Sequence, residues 1–105
     1  MKKYSLRKIL DGMDNKALSK EIFCTTDHLK TQVISLKAGN IIPPCKMEND
    51  VLFYFLAGEG TVTVDNEKVD IKSGECVVVP HQAESRSISA KTDCEILAVQ
   101  GLKLK

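Results

Sequence analysis

The chain has 105 residues, a length typical of one domain, and 43% of them are hydrophobic, which supports a packed core and excludes wholesale disorder. Its 15 Lys and Arg residues nearly balance its 14 Asp and Glu residues, so no broad basic field favours nucleic acid as a partner. No apolar stretch is long enough to span a membrane or to follow the basic N-terminus as a secretory signal. These features predict a cytoplasmic protein without a membrane partner.

Residues 1–30 are predicted to form an N-terminal arm that packs on the rest of the domain or on a partner subunit. Leu6, Ile9 and Leu10 have helical spacing, and a short strand is predicted at residues 21–24. A domain of this size buries only about two-thirds of its unfolded surface, so we expect a homodimer to add stability.

From residue 31 onward, short strands alternate with turns, and residues 31–105 are predicted to form one barrel. Pro43 and Pro44 cannot donate backbone hydrogen bonds, so their stretch is predicted to be extended at a sheet edge or bulge. Residues 51–56 are apolar on both faces and rich in strand formers, which predicts a central strand.

Alternating residues around the Asp65-Asn66 turn predict a β-hairpin over residues 61–72. Its buried face is predicted to carry four aliphatic side chains, Val62, Val64, Val69 and Ile71. Further strands are predicted at residues 75–79, 86–90 and 95–99. Seven or eight short strands with this turn spacing indicate an all-β barrel or sandwich.

The glycine and proline spacing resembles that of the cupin superfamily. Gly39 and Gly58 stand at the two glycine positions of the first cupin motif, and Gly74 and Pro80 match the start of the second. The resemblance covers residues 31–100 and extends to the hairpin between the motifs. It implies a cupin-type jelly-roll β-barrel, also called a double-stranded β-helix.

The resemblance also implies positions for metal ligands, and this chain departs from all of them. Cys45 and Met47 stand where the motif has two histidines, Val51 stands at the glutamate position, and Ser85 stands at the last histidine position. Valine has no lone pair and a neutral serine is a weak ligand, so the usual octahedral site cannot form from these residues. No cofactor is therefore expected.

The sequence leaves open whether Ser85 or Arg86 faces the barrel, because a slip of one residue exchanges the two faces of a strand. The apolar side chains Ile88 and Ala90 favour the register that turns Arg86 inward. An inward arginine would hold a carboxylate or phosphate through its planar guanidinium group. The alternative is an Arg86 that bends to solvent or pairs with Glu84.

Cys45 and Met47 are two residues apart on a strand, so they are predicted to share a face. Thiolate and thioether are soft ligands that favour Cu(I), and His81 could add a nitrogen. The favoured interpretation is that both are apolar filling of an empty ligand site, and the remaining alternative is a reactive Cys45 thiol activated by a nearby cation or base. The predicted pocket residues are Cys45, Met47, Val51, Tyr54 and Arg86.

Three functions follow from this interpretation. The favoured one is non-catalytic binding or sensing of a small molecule, with anions among the candidates, in an apolar barrel. The second is an enzyme with altered chemistry, which uses a soft metal or a thiol at Cys45 and Met47. The third is a structural dimer module. The missing ligands argue against ordinary metal-dependent catalysis, and no inward general base is evident.

Overall fold

A computed structural model describes residues 1–102 of the chain, so the predicted end of the barrel at residue 105 lies outside the described part. Within that part, one short helix precedes nine strands, which are α1 (Leu6–Asp11), β1 (Leu18–Thr25), β2 (Leu29–Leu36), β3 (Ile41–Cys45), β4 (Val51–Ala57), β5 (Glu59–Val64), β6 (Glu67–Lys72), β7 (Cys76–Val79), β8 (Arg86–Ala90) and β9 (Cys94–Gly101). Over residues 1–102, no helix has the length and apolar character needed to cross a membrane.

The strands form two antiparallel sheets that enclose the core. The five-stranded sheet has the order β1-β2-β9-β4-β7, and the four-stranded sheet has the order β3-β8-β5-β6. Buried side chains of both sheets, such as Phe53 and Ile96 from the first and Val62 and Ile88 from the second, belong to one hydrophobic cluster. This arrangement confirms the predicted all-β jelly-roll barrel.

The prolines of β3 explain its place at the edge of the four-stranded sheet. Its pairing with β8 shifts register between Ile42 and Cys45, across Pro43 and Pro44. Because proline has no N–H to donate, such a pair is tolerated at an edge or bulge but not in a central strand. The predicted central strand is β4, which pairs with β9 on one side and β7 on the other.

The hairpin of β5 and β6 lies over the core with one face inward. Val62 and Ile71 are buried and Val64 is half-buried, whereas Val69 is exposed near the sheet edge. Val69 thus departs from the predicted buried face: on the edge strand β6, the core covers Ile71 but not Val69.

The N-terminal segment is joined to the five-stranded sheet of its own chain. β1 pairs with β2 along its whole length, with one register shift between Ile22 and Cys24. α1 contacts β2, and its first turn is capped by the Ser5 hydroxyl, which accepts a hydrogen bond from the Lys8 N–H. Arg7 on this helix reaches across to Glu95 of β9.

Candidate functional site

Strand β8 turns Arg86 into the barrel. Arg86, Ile88 and Ala90 are buried, while Ser87 is half-buried and Ser89 is exposed. This alternation is the two-residue period of a strand with one face on a core. The structure therefore has the register in which the apolar side chains and Arg86 share the inner face.

The start of β8 is held in place by Asp65 in the hairpin turn. Asp65 has a φ of 52°, and its Oδ1 accepts hydrogen bonds from the backbone N–H groups of Glu84 and Ser85, both at 3.0 Å. Aspartate tolerates this left-handed conformation better than most residues and caps neighbouring N–H groups. The turn therefore sets where β8 begins and which of its residues points inward.

Within the described part of the chain, the guanidinium group of Arg86 is buried with no carboxylate bonded to it. The residue is only 8% exposed, its Nη2 lies 2.7 Å from the sulfur of Met47, and its Cζ lies 5.3 Å from the centre of the Phe53 ring. Its Nε and Nη1 have no hydrogen-bond partner within residues 1–102. Glu84, the acid closest in sequence, instead pairs with Lys46 at 3.1 Å in an exposed ion pair.

This environment is energetically costly for a cation. A ring face attracts a guanidinium group, and a thioether is only a weak acceptor. Each buried donor left without a partner costs about 1–3 kcal/mol, and more when the group is charged. The site therefore contains donors that an anion can satisfy.

The two sulfur atoms predicted to form a soft-metal pair have different surroundings. The half-buried Met47 packs against the core and contacts Arg86 through its sulfur. Cys45 is the last residue of β3, directly after the proline bulge, and is exposed. The two predicted pocket residues thus differ in burial: Met47 contacts the core, whereas Cys45, opposite Arg86 after the bulge of β3, is exposed.

Strand β4 places the remaining predicted pocket residues on opposite faces. Val51 is buried in the core, together with Phe53 and Phe55. Tyr54 alternates with them and lies half-buried on the outer face of the five-stranded sheet, which corrects its predicted place in the pocket. Phe53, which sequence analysis did not single out, is the ring that contacts Arg86; its two-residue spacing from Val51 was the available signal.

His81 is held outside the barrel by Asp50. Its Nδ1 lies 3.0 Å from Asp50 Oδ1, and its backbone N–H donates to the same oxygen at 2.8 Å. Both side chains are substantially exposed. The three residues considered as soft-metal ligands are thus an exposed thiol, a sulfur in contact with a cation, and an imidazole bound to a carboxylate.

The metal implied by the resemblance does not fit these residues. The inner positions hold a thioether, a valine and a permanently charged guanidinium group, and a buried cation repels a second one. Among residues 1–102, no cluster of three His, Cys, Asp or Glu side chains has the geometry for a metal ion. The chemistry of the donor set favours an anion here.

Cys94 is a buried thiol in the core, and it is not suited to act as a nucleophile. Its Sγ donates to the carbonyl oxygens of Glu59 and Thr92. Burial, together with the nearby carboxylates of Asp93 and Glu59, raises the pKa of Cys94 to about 11. The thiolate form needed for nucleophilic attack is therefore scarce at neutral pH.

A groove of about 290 Å³ on the surface is the main alternative location for a ligand. It lies along the hairpin and is lined in part by Glu59, Asp70, Lys72 and Lys91. These charged side chains are exposed, so water already satisfies them. The groove lacks the buried, unsatisfied donors that distinguish the Arg86 site.

Comparison with known proteins agrees with this architecture. Residues 32–100 match the sequence model of the cupin domain. No curated protein matches the chain.

Three solved structures illustrate the range of proteins that share the fold. A conserved protein of unknown function from Streptococcus pyogenes has a TM-score of 0.79 and 20% identity, over 88% of this chain and 80% of that one. A cupin-2 domain containing protein from Shewanella frigidimarina has a TM-score of 0.79 and 13% identity, over 94% of both chains. A variant of salicylate 1,2-dioxygenase from Pseudoaminobacter salicylatoxidans has a TM-score of 0.76 and 18% identity, over 80% of this chain and 26% of that one.

At these identities the structural matches establish the fold alone, and the fold is shared by an enzyme and by a protein without known function. The family match spans most of the chain, from β2 to β9. On this evidence, the chain belongs to the cupin domain family.

Proposed function

We propose that this protein binds a small carboxylate-bearing molecule in its barrel through Arg86 and does not catalyse a reaction on it. The observation that carries the proposal is the buried guanidinium group whose Nε and Nη1 have no partner among residues 1–102. A planar guanidinium group matches a carboxylate with two parallel hydrogen bonds. An anion would compensate a charge that burial otherwise makes costly.

The groups beside Arg86 support binding rather than catalysis. They are the thioether of Met47 and the ring of Phe53, neither of which exchanges a proton near neutral pH. General acid–base catalysis needs a group that does. The soft-metal enzyme considered from the sequence gains no support, because the Met47 sulfur contacts Arg86 and His81 is bound to Asp50.

Thermal unfolding with sodium acetate tests the proposal, with ionic strength held constant by sodium chloride. Acetate at ten times its dissociation constant should stabilise the fold by about 1.4 kcal/mol, which corresponds to a rise in Tm of roughly 5–10 °C for a domain of this size. As a second test, metal analysis of protein purified without chelators should find no stoichiometric copper. Copper that disappears in Cys45→Ala would overturn the proposal.

The variant Arg86→Met separates the site from general salt effects. It keeps the length of the side chain and removes the charge, so the response to acetate should disappear. Without acetate, the variant should be more stable than the natural protein by about 1–3 kcal/mol, because a buried, uncompensated charge is gone. Arg7→Met, which removes an exposed arginine, is the matched control and should keep the response. An unchanged acetate response in Arg86→Met would contradict the proposal.

A further inference from the structure

Beside Arg86, an apolar cleft opens between the edges of the two sheets. β6 and β7 are edge strands of different sheets, joined by the turn at residues 73–75. The cleft between them has a volume of about 180 Å³ and is lined by six valines and one acid, namely Val62, Val64, Val69, Val77, Val78, Val79 and Glu67.

Strand pairing places Arg86 beside a residue that lines this cleft. Val64 stands opposite Arg86 in the β5–β8 ladder, and Val77 stands opposite Phe53 in the β4–β7 ladder. Opposite residues in an antiparallel pair have Cβ atoms about 5 Å apart on the same face. Since Arg86 contacts Phe53 across the barrel, Val64 and Val77 flank this contact on the side of the cleft.

We infer that the ligand is an amphiphilic monoanion, with its carboxylate on Arg86 and a small ring or short hydrocarbon chain in the valine cleft. This inference rests on the proposed function and specifies its ligand class. The cleft volume is similar to the roughly 150 Å³ of an apolar cavity that accommodates benzene. The ligand body is therefore about the size of one phenyl ring.

The charges around the cleft favour one negative charge over two. Arg86 is the cation beside the cleft, and the lining adds the carboxylate of Glu67 but no lysine or arginine. A second negative charge on the ligand would meet the low-dielectric valine wall or approach Glu67. Inorganic phosphate and dicarboxylates with charges at both ends therefore fit this site less well than a monocarboxylate.

Titration calorimetry with acetate, benzoate and benzyl alcohol tests the inference on the full chain. Benzoate should bind at least tenfold more tightly than acetate, because the ring leaves water for an apolar wall. Benzyl alcohol has the ring without the charge and should bind at least tenfold more weakly than benzoate. Arg86→Met should remove the difference between benzoate and benzyl alcohol.

The variant Val69→Phe tests the cleft without disturbing the core, because Val69 is exposed at the rim of the cleft. Its larger side chain should fill the cleft and reduce the advantage of benzoate over acetate to less than threefold, while acetate binding stays as in the natural protein. Ile41→Phe is the control, because it enlarges an exposed strand residue outside the cleft lining. It should change neither the affinity for acetate nor the ratio of the benzoate affinity to the acetate affinity.

The outcomes distinguish this inference from the proposed function. If acetate binds through Arg86 but benzoate binds no more tightly, or Val69→Phe leaves the advantage of benzoate unchanged, the cleft assignment is wrong and the proposed function stands. If neither carboxylate binds, the proposed function fails and this inference fails with it. If benzyl alcohol alone binds, and Val69→Phe weakens that binding, the cleft binds apolar molecules but Arg86 binds no carboxylate.

Discussion

Arg86 is the residue on which the proposed function of this barrel rests, because its charged side chain is buried. It occupies the inner face beside the position where the family motif has its last histidine, and it brings a guanidinium group to a place where the motif has an imidazole. The Met47 sulfur and the Phe53 ring are weak partners for a guanidinium group, so the site is stabilised only in part. A bound carboxylate would complete it.

Gly58, at the end of the first cupin motif, shows why that motif requires a glycine. Its φ is +85°, and a Cβ there would overlap the backbone carbonyl oxygen of Asp93. Gly74 has a similar φ of +87°, but a Cβ there would have no neighbour within 4 Å. An alanine at Gly74 would therefore meet only the strain of the left-handed backbone, whereas an alanine at Gly58 would also overlap a neighbouring backbone.

Gly58→Ala should lower the free energy of unfolding by at least about 3 kcal/mol, because backbone strain and overlap add. Gly74→Ala should lower it by only about 1–2 kcal/mol, the strain alone. Urea unfolding at equilibrium measures both. Equal losses in the two variants would show that the approach of Asp93 to Gly58 does not matter for stability.

At the scale of elements, the N-terminal helix depends on an ion pair with the sheet. Nη1 of Arg7 donates to Oε1 of Glu95 at 2.8 Å, and Nε of Arg7 donates to Asp11 at the same distance. The hydrogen bonding of Arg7 to Glu95 holds the pKa of Glu95 below its ordinary value, although partial burial opposes the shift. Glu95 therefore stabilises the fold most when it is ionised.

Arg7→Met should lower the free energy of unfolding at pH 7 by a modest amount, since Arg7 is exposed and Glu95 is only partly buried. Because the pKa of Glu95 is lowered by folding, its contribution is complete above the ordinary glutamate pKa of about 4.3 and is lost as the pH falls further. The stability difference between the two proteins should thus shrink below that pH. Chemical denaturation between pH 3 and 7 measures it, with the exposed Lys20→Met as control. A constant difference over this range would contradict the role of Glu95.

On the scale of the whole molecule, the outer face of the five-stranded sheet is a candidate surface for self-association. Leu52 pairs with Val99 and Val78, and Tyr54 pairs with Leu97, so these apolar side chains form neighbouring rows. Val78 is 65% exposed. A small domain gains stability when such a surface is covered, which agrees with the expected homodimer.

We expect sedimentation equilibrium at micromolar concentration to show a dimer, and Val78→Glu to shift it toward monomer by introducing a charge into the apolar face. Ile41→Glu, at an exposed position on the other sheet, should leave the dimer intact. A monomeric natural protein would contradict the dimer, and a dimer unaffected by Val78→Glu would exclude this face as its interface.

The sequence by itself determined the strands, their turns and the cupin frame. Glycines and prolines constrain the backbone locally, and hydrophobic alternation reports burial within one strand, so Gly39, Gly58 and Pro80 could be interpreted without neighbours. The same local information showed that Cys45, Met47 and Val51 replace metal ligands. It also favoured, without deciding, the register that turns Arg86 inward.

Only the tertiary structure decided which side chains meet inside the barrel. The bulge in β3 leaves Cys45 exposed, and the pairing of β4 turns Phe53 rather than Tyr54 toward Arg86. The valine cleft joins strands from both sheets. Such contacts depend on pairing register and on sheet-to-sheet packing, and one bulge or a slip of one residue reverses the faces without changing local composition. Where the family motif has metal ligands, the tertiary structure has a buried arginine and, close to it, an apolar cleft.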